Sequence, residues 1–262
     1  MRQTRKGILG DVRSFLVRRP EVATRIDFAS RAERQDYSYR MLQRLDVDVD
    51  GYSVLNIHRI GIDAPVVFVA EQLSSWNARS CWWPNRLALL ESDDRRLEQI
   101  RVYFLGRKKR LPGVKLPLFG LNVVPLFRMQ ALAIRTVPAV LNDDNARYML
   151  YRCSGGYPVG IVVAYVRSPI AARGEPDQTQ FFFAVGFDFY GKTNWPRAHP
   201  VNLIWEAIHD RVAGNILNRF KAECETRFLR VLSGEQRLRV ETVQRARERS
   251  RQRAEEAVRT RV

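Results

Sequence analysis

From Ile204 onward, every fourth residue is apolar: Ile204, Ile208, Val212, Ile216, Phe220, Cys224 and Phe228. Four residues advance about 400° on an α-helix, so such a row drifts slowly around one side of a single long helix. Trp205, Ala213 and Leu217 widen it into a stripe, while Arg211, Asn218, Arg219, Lys221 and Glu225 lie mostly off it. A helix of this length and asymmetry must cover an apolar surface. Gly214 falls in its middle, where glycine costs roughly 1 kcal/mol relative to alanine. It implies either close packing against a strand or room for a ligand.

What precedes the helix reads as strands. Tyr52–Ile62 holds Val54, Ile57, Ile60 and Ile62, and Asp63-Ala64-Pro65 turns the chain into a short helix over 66–73. Asp63 is placed to cap that helix, and Pro65 suits its first turn. An aromatic stretch follows with Trp76, Trp82, Trp83 and Pro84. Further strands are expected at 87–90, 100–105, 126–137, 148–153, 159–166 and 181–189, separated by turns such as Ser92-Asp93-Asp94 and Asn142-Asp143-Asp144-Asn145. Strands in succession without intervening helices predict an antiparallel meander. The fold class expected is α+β: a curved antiparallel sheet wrapped around a long C-terminal helix.

This unit, a ligand-binding domain, is expected to span 51–232, flanked by a basic N-terminal extension and linker over 1–50 and an Arg/Glu-rich charged tail over 233–262. The net charge of +16 is concentrated: residues 1–20 carry +5, residues 106–121 carry +5 and residues 235–262 carry +4. Basic segments of this kind suit anionic lipid or nucleic acid. Only six of the 44 basic residues are lysine, which GC-rich codon usage would equally explain. Within 7–19, Ile8, Leu9, Val12, Phe15 and Leu16 repeat at helical spacing. That helix either lies on a membrane or packs on its own domain. In the loop 106–121, Arg107, Lys108, Lys109, Arg110 and Lys115 stand beside Leu118 and Phe119, a pairing suited to docking on anionic membranes. A lid over a cavity mouth and an insertion packed on the sheet edge are the alternatives.

The three cysteines, Cys81, Cys153 and Cys224, show no CxxC pair and read as buried thiols of a reducing, cytoplasmic compartment. No stretch has the roughly 18 apolar residues of a membrane span. No phosphate loop, nucleophile elbow or metal-ligand spacing occurs, so neither metal nor cofactor is expected.

The order of strand, Ile62-Asp63-Ala64-Pro65 turn, short helix with Val69 and Leu73, Trp76 and Trp83-Pro84, antiparallel strands and long final helix resembles the START-like superfamily of pollen allergens, polyketide cyclases and lipid-transfer domains. The resemblance covers about residues 52–232. It implies a helix-grip fold with an apolar cavity between sheet and helix, and so the binding or transport of a lipid or polyketide-like molecule. Residues expected around a ligand are Trp76, Trp83, Phe127 and Tyr151. Tyr165, Phe181, Phe183 and Phe187 come from later strands, and Trp205, Ile208, Val212 and Ile216 from the helix. Period two places Phe181 and Phe183 on one face and Phe182 on the other, without saying which is inward. Each of these aromatics is equally a plain core residue. The alternative is a cyclase, dehydratase or hydrolase whose one candidate catalytic residue is His209, paired with a strand tyrosine or Asp188. A further alternative is nucleic-acid binding through the Arg-rich tails.

Overall fold

In a computed structural model, the described residues are 8–47, 52, 54–77, 79–92, 97–104, 117–118, 121–122, 130–137, 139–155, 159–187, 204 and 206–234. Seven strands build the main sheet: β1 (Val54–Ile62), β2 (Ala88–Ser92), β3 (Gln99–Phe104), β6 (Gln130–Arg135), β7 (Ala146–Gly155), β8 (Val159–Arg167) and β9 (Thr179–Phe187). Their order is β1-β9-β8-β7-β6-β3-β2, with antiparallel neighbours throughout. Among the described residues, two-residue strands β4 (Pro117–Leu118) and β5 (Leu121–Asn122) pair with each other. A short helix α3 (Val66–Ser74) and the final helix α4 (residues 206–234) lie on one face of the main sheet. That arrangement is a helix-grip fold.

The strand alternation sorts the core into two layers. On β9, Phe181, Phe183 and Val185 point toward α3 and α4, and on β8 Val162, Ala164 and Val166 do the same. Phe182, Ala184, Val163 and Tyr165 point the other way. Phe181 and Phe183 are therefore the inward pair. The apolar row of α4 is buried only from its second turn onward. Ile216, Leu217, Phe220 and Cys224 are enclosed, whereas Ile204 is 62% exposed and Ile208 37% exposed. A straight helix meets a curved sheet over a limited length, so the first turn of the row overhangs.

The N-terminal segment contributes to both layers. A short helix α1 (Ile8–Asp11) runs on as a wider π-helical turn, Val12–Val17, and inserts Phe15 into the main core. Arg219 of α4 lies over the Phe15 ring at 4.2 Å. Asn215 Nδ2 donates to the carbonyls of Phe15 at 2.9 Å, Arg18 at 2.8 Å and Arg211 at 3.0 Å. The chain then crosses α4 at Gly214, where a Cβ would meet Pro20 Cγ at 2.7 Å. The glycine serves a close approach, as one of its two expected roles had it, but the neighbour is this strap rather than a strand. Beyond the crossing, Arg59 N donates to Thr24 O at 2.7 Å and Ile26 N to Ile57 O at 3.0 Å, extending the β1 edge. Helix α2 (Arg31–Leu42), capped by Ser30 Oγ accepting from Glu33 N at 3.1 Å, covers the outer face of the sheet. Its Leu42, with Leu45 and Val47 beyond it, packs against Leu55, Ile57, Leu150 and Ile161.

Two local expectations are corrected. Asp63 does not cap α3, whose N-cap is Pro65 without a side-chain bond. The Asp63 carboxylate instead accepts from Gln178 Nε2 at 2.7 Å, while its N–H donates to Glu225 Oε1 of α4 at 2.9 Å. Of the three thiols, Cys224 is buried, Cys153 partly so and Cys81 exposed. Among the described residues no helix is long and apolar enough to cross a membrane.

Candidate functional site: a cavity between sheet and helix

Between the inner sheet face and α4 is a cavity of about 140 Å³. The sheet supplies Ile100 and Val102 from β3, Ala133 from β6, Tyr151 and Cys153 from β7, and Phe183 and Val185 from β9. Opposite stand Val212, Ala213 and Ile216 of α4. One end is closed by Trp76, Trp83 and Pro84. The indole rings of Trp76 and Trp83 meet edge to face at 4.6 Å, and Trp83 Nε1 donates to Ala88 O at 2.6 Å. That bond spends the only polar group of Trp83, so the wall it presents is hydrocarbon. A smaller void of about 20 Å³ lies behind these indoles, with Phe181 in its wall.

The other end is polar. Asn56 and His58 sit at alternate positions of β1, on the same face as Ile60 and Ile62, and His209 stands across from them on α4. His58 is 1% exposed. Its Nδ1 is 3.0 Å from Thr24 Oγ1, and its Nε2 faces Asp210 Oδ1 at 3.4 Å. Nδ1 is thus hydrogen-bonded, whereas Nε2 lies beside the carboxylate without an aligned hydrogen bond. Burial alone would raise the Asp210 carboxyl, but His58 and the Arg25 guanidinium outweigh it and hold it below its ordinary value. Arg25 also reaches Glu206 at 2.6 Å, and Asn56 Nδ2 donates to the Glu206 carbonyl at 3.3 Å. The strap, β1 and α4 are tied together at this end.

Burial, reinforced by nearby His58, pushes the His209 imidazole down to about 4. It is neutral at pH 7, where it can accept or donate a hydrogen bond but is a weak base. Burial likewise pushes the Cys153 thiol up to about 12, so it lines the cavity as an inert apolar group. Tyr151 donates its hydroxyl to Leu97 O at 2.8 Å.

The His209 shift carries a pH signature. As pH falls below about 6.5, the unfolded chain takes up a proton that the folded His209 refuses until about pH 4. Stability is therefore lost across that window, by up to about 3 kcal/mol. Melting curves from pH 7 to 4 should show this acid limb, and His209→Gln should flatten it.

Of the residues expected around a ligand, Trp76, Trp83, Tyr151, Phe183, Val212 and Ile216 line the main cavity, as does His209. Phe181 reaches only the smaller void. Tyr165 is on the opposite sheet face, stacked on Tyr148 at 4.2 Å, because an odd position on β8 faces outward. Ile208 is 37% exposed on the first turn of α4 and does not line the cavity. Phe127, Trp205, Asp188 and the side chain of Phe187 lie outside the described residues. So do Arg107, Lys108, Lys109, Arg110, Lys115, Phe119, the side chain of Leu118 and the tail 235–262. The expectation passed over Asn56 and His58 as cavity residues. Their signal was present: two polar groups in register with the inward-facing Ile60 and Ile62.

Comparison with family models and with curated proteins gives no match. Solved structures similar to the chain include the Zhui aromatase/cyclase from Streptomyces sp. R1128, with 15% identity and a TM-score of 0.44, over 66% of this chain and 94% of that one. A START superfamily protein from Mycobacterium smegmatis shows 14% identity and a TM-score of 0.34, over 68% and 98%. A polyketide-cyclase-like protein from Corynebacterium glutamicum shows 15% identity and a TM-score of 0.33, over 69% and 92%. At such overlaps the likeness assigns neither a ligand nor a site residue to this chain.

Proposed function

We propose that the protein binds an apolar small molecule, lipid or polyketide-like, between sheet and α4, with one hydrogen-bonding group of the ligand at the Asn56/His209 end. The observation that carries this reading is an almost wholly apolar cavity of about 140 Å³ with Asn56, His58 and His209 together in its lining. A cavity of roughly 150 Å³ lined by aliphatic and aromatic side chains stays dry and takes up benzene. The enclosed space thus suits one six-membered ring or a short branched chain, and a longer ligand would extend past His209. Binding is favoured over catalysis because the His58 imidazole is buried and fixed through Nδ1 by Thr24 Oγ1, while His209 is a weak base. Native mass spectrometry of the purified protein, before and after lipid extraction, tests this directly. A mass increment lost on extraction is the expected result, and a protein that neither carries nor takes up such a molecule overturns the reading.

A finer part of the same proposal is exchange of the ligand at an anionic membrane through the basic segment 106–121, supported by its charge of +5 beside Leu118 and Phe119. Replacing Phe119 with Asp should weaken sedimentation with phosphatidylserine vesicles several-fold, leaving ligand uptake intact. Equal co-sedimentation of the two proteins removes the docking segment.

A further inference from the structure

The outer face of the sheet has a recess of its own, about 330 Å³, between α2 and strands β7 to β9. Tyr37 and Arg40 reach it from α2, and Arg44 from the 3₁₀ turn Gln43–Leu45 that follows. Tyr148, Tyr165 and Arg167 reach it from the sheet. Met41, Ile170 and Phe182 add apolar surface, and none of the lining residues is acidic.

Its sheet side is rigid. Tyr148 and Tyr165 stack across β7 and β8 at 4.2 Å, Tyr165 and Phe182 across β8 and β9 at 5.6 Å. The Arg167 guanidinium lies 5.2 Å over the Phe182 ring and is clamped by Glu175 through two bonds of 2.6 Å. That guanidinium holds the Glu175 carboxyl down at about 2, so the clamp stays ionised at any ordinary pH. Burial, with the hydrogen bond to Tyr148, raises the Tyr165 phenol, which therefore remains a hydroxyl.

The outer wall supplies unspent charge. Arg40 pairs with Asp36 at 2.7 Å in an exposed contact of little energetic weight. Arg44 makes no ion pair among the described residues. Two exposed guanidinium groups thus face Tyr148 and Tyr165 across a half-open recess with an apolar floor. Its volume falls at the lower end of the range for small-ligand pockets, roughly 300–1,000 Å³.

We propose that this recess is a second binding site, separate from the inner cavity, for a small aromatic anion. Arg40 and Arg44 would hold its phosphate or carboxylate group, the Tyr148 hydroxyl would donate to it, and Met41 and Phe182 would cover its ring. Phosphate ester and carboxylate share this chemistry, and the choice of probe separates them.

The test is calorimetry on the full chain with phenyl phosphate, benzoate and inorganic phosphate. Phenyl phosphate or benzoate should bind saturably and more tightly than inorganic phosphate, and the affinity should fall with added salt. Whichever of the two binds more tightly names the anion. Arg40→Glu with Arg44→Glu should weaken binding at least about tenfold, since charge-assisted bonds are the strong ones. Both arginines are exposed, so the fold should survive, and an unchanged melting temperature verifies that. Tyr165→Phe gives a second, milder loss. Val212→Trp, which fills the inner cavity, should leave this binding unchanged. No saturation at millimolar probe, full affinity in the double charge reversal, or loss of binding in Val212→Trp each overturns the second site.

Discussion

Val212→Trp should abolish uptake of an apolar ligand, lowering affinity at least about tenfold, while the protein remains folded. Val212 is half-buried on α4 and faces the cavity across from the sheet. An indole placed there takes up much of the 140 Å³ available. Overpacking of this kind costs typically about 1–3 kcal/mol, which a domain of ordinary stability tolerates. Fluorescence titration with an apolar probe, together with a melting curve, separates the two effects. Undiminished binding in a folded Val212→Trp protein would place the ligand elsewhere. Ile208→Trp is the matched control: it lies one turn earlier on the same face but outside the cavity, so uptake should stay near the parent value.

Phe15→Ala should destabilise the protein by about 3–5 kcal/mol, the cost of removing a large aromatic from a closed core. Phe15 is 2% exposed, beneath the Arg219 guanidinium and beside the Asn215 bonds that fasten the strap to α4. Urea denaturation measures the loss. Leu9→Ala, at 82% exposure on the same short helix, should change stability by less than about 0.5 kcal/mol. The contrast decides between the two roles of an amphipathic N-terminal helix. A helix kept for membrane contact would lose vesicle affinity and little stability on Phe15→Ala. The position of the ring, inside the core shared with Leu217 and Phe220, predicts the opposite.

This second effect shows where sequence reading stopped. Phe15 and Pro20 are about two hundred residues from Gly214 and Asn215, and nothing in their local patterns says that they meet. The strap exists because a carbonyl-rich turn, a helix asparagine and a glycine without Cβ coincide in space. In the same way, α2 has charged residues and weak periodicity. The segment reads as a helix and a linker with no surface assigned to cover, yet α2 covers the outer sheet face because strands with alternating apolar residues on both sides need two covers. The overhang of Ile204 and Ile208 was equally invisible, since a four-residue row has no mark for where the surface beneath it ends.

The chain by itself determined its architecture. Strand alternation, turn residues and the long apolar row from Ile204 to Phe228 required an antiparallel sheet and a helix to cover it, and these are local consequences of period and composition. The tertiary structure alone decided which end of that cavity is polar. It set Asn56 and His58 opposite His209, turned Phe183 inward and Tyr165 outward, and brought Thr24 and Asp210 to the His58 imidazole, with Arg25 on Asp210. Those choices depend on register and on contacts across the whole chain, and the energies that fix them arise only when distant segments exclude water together.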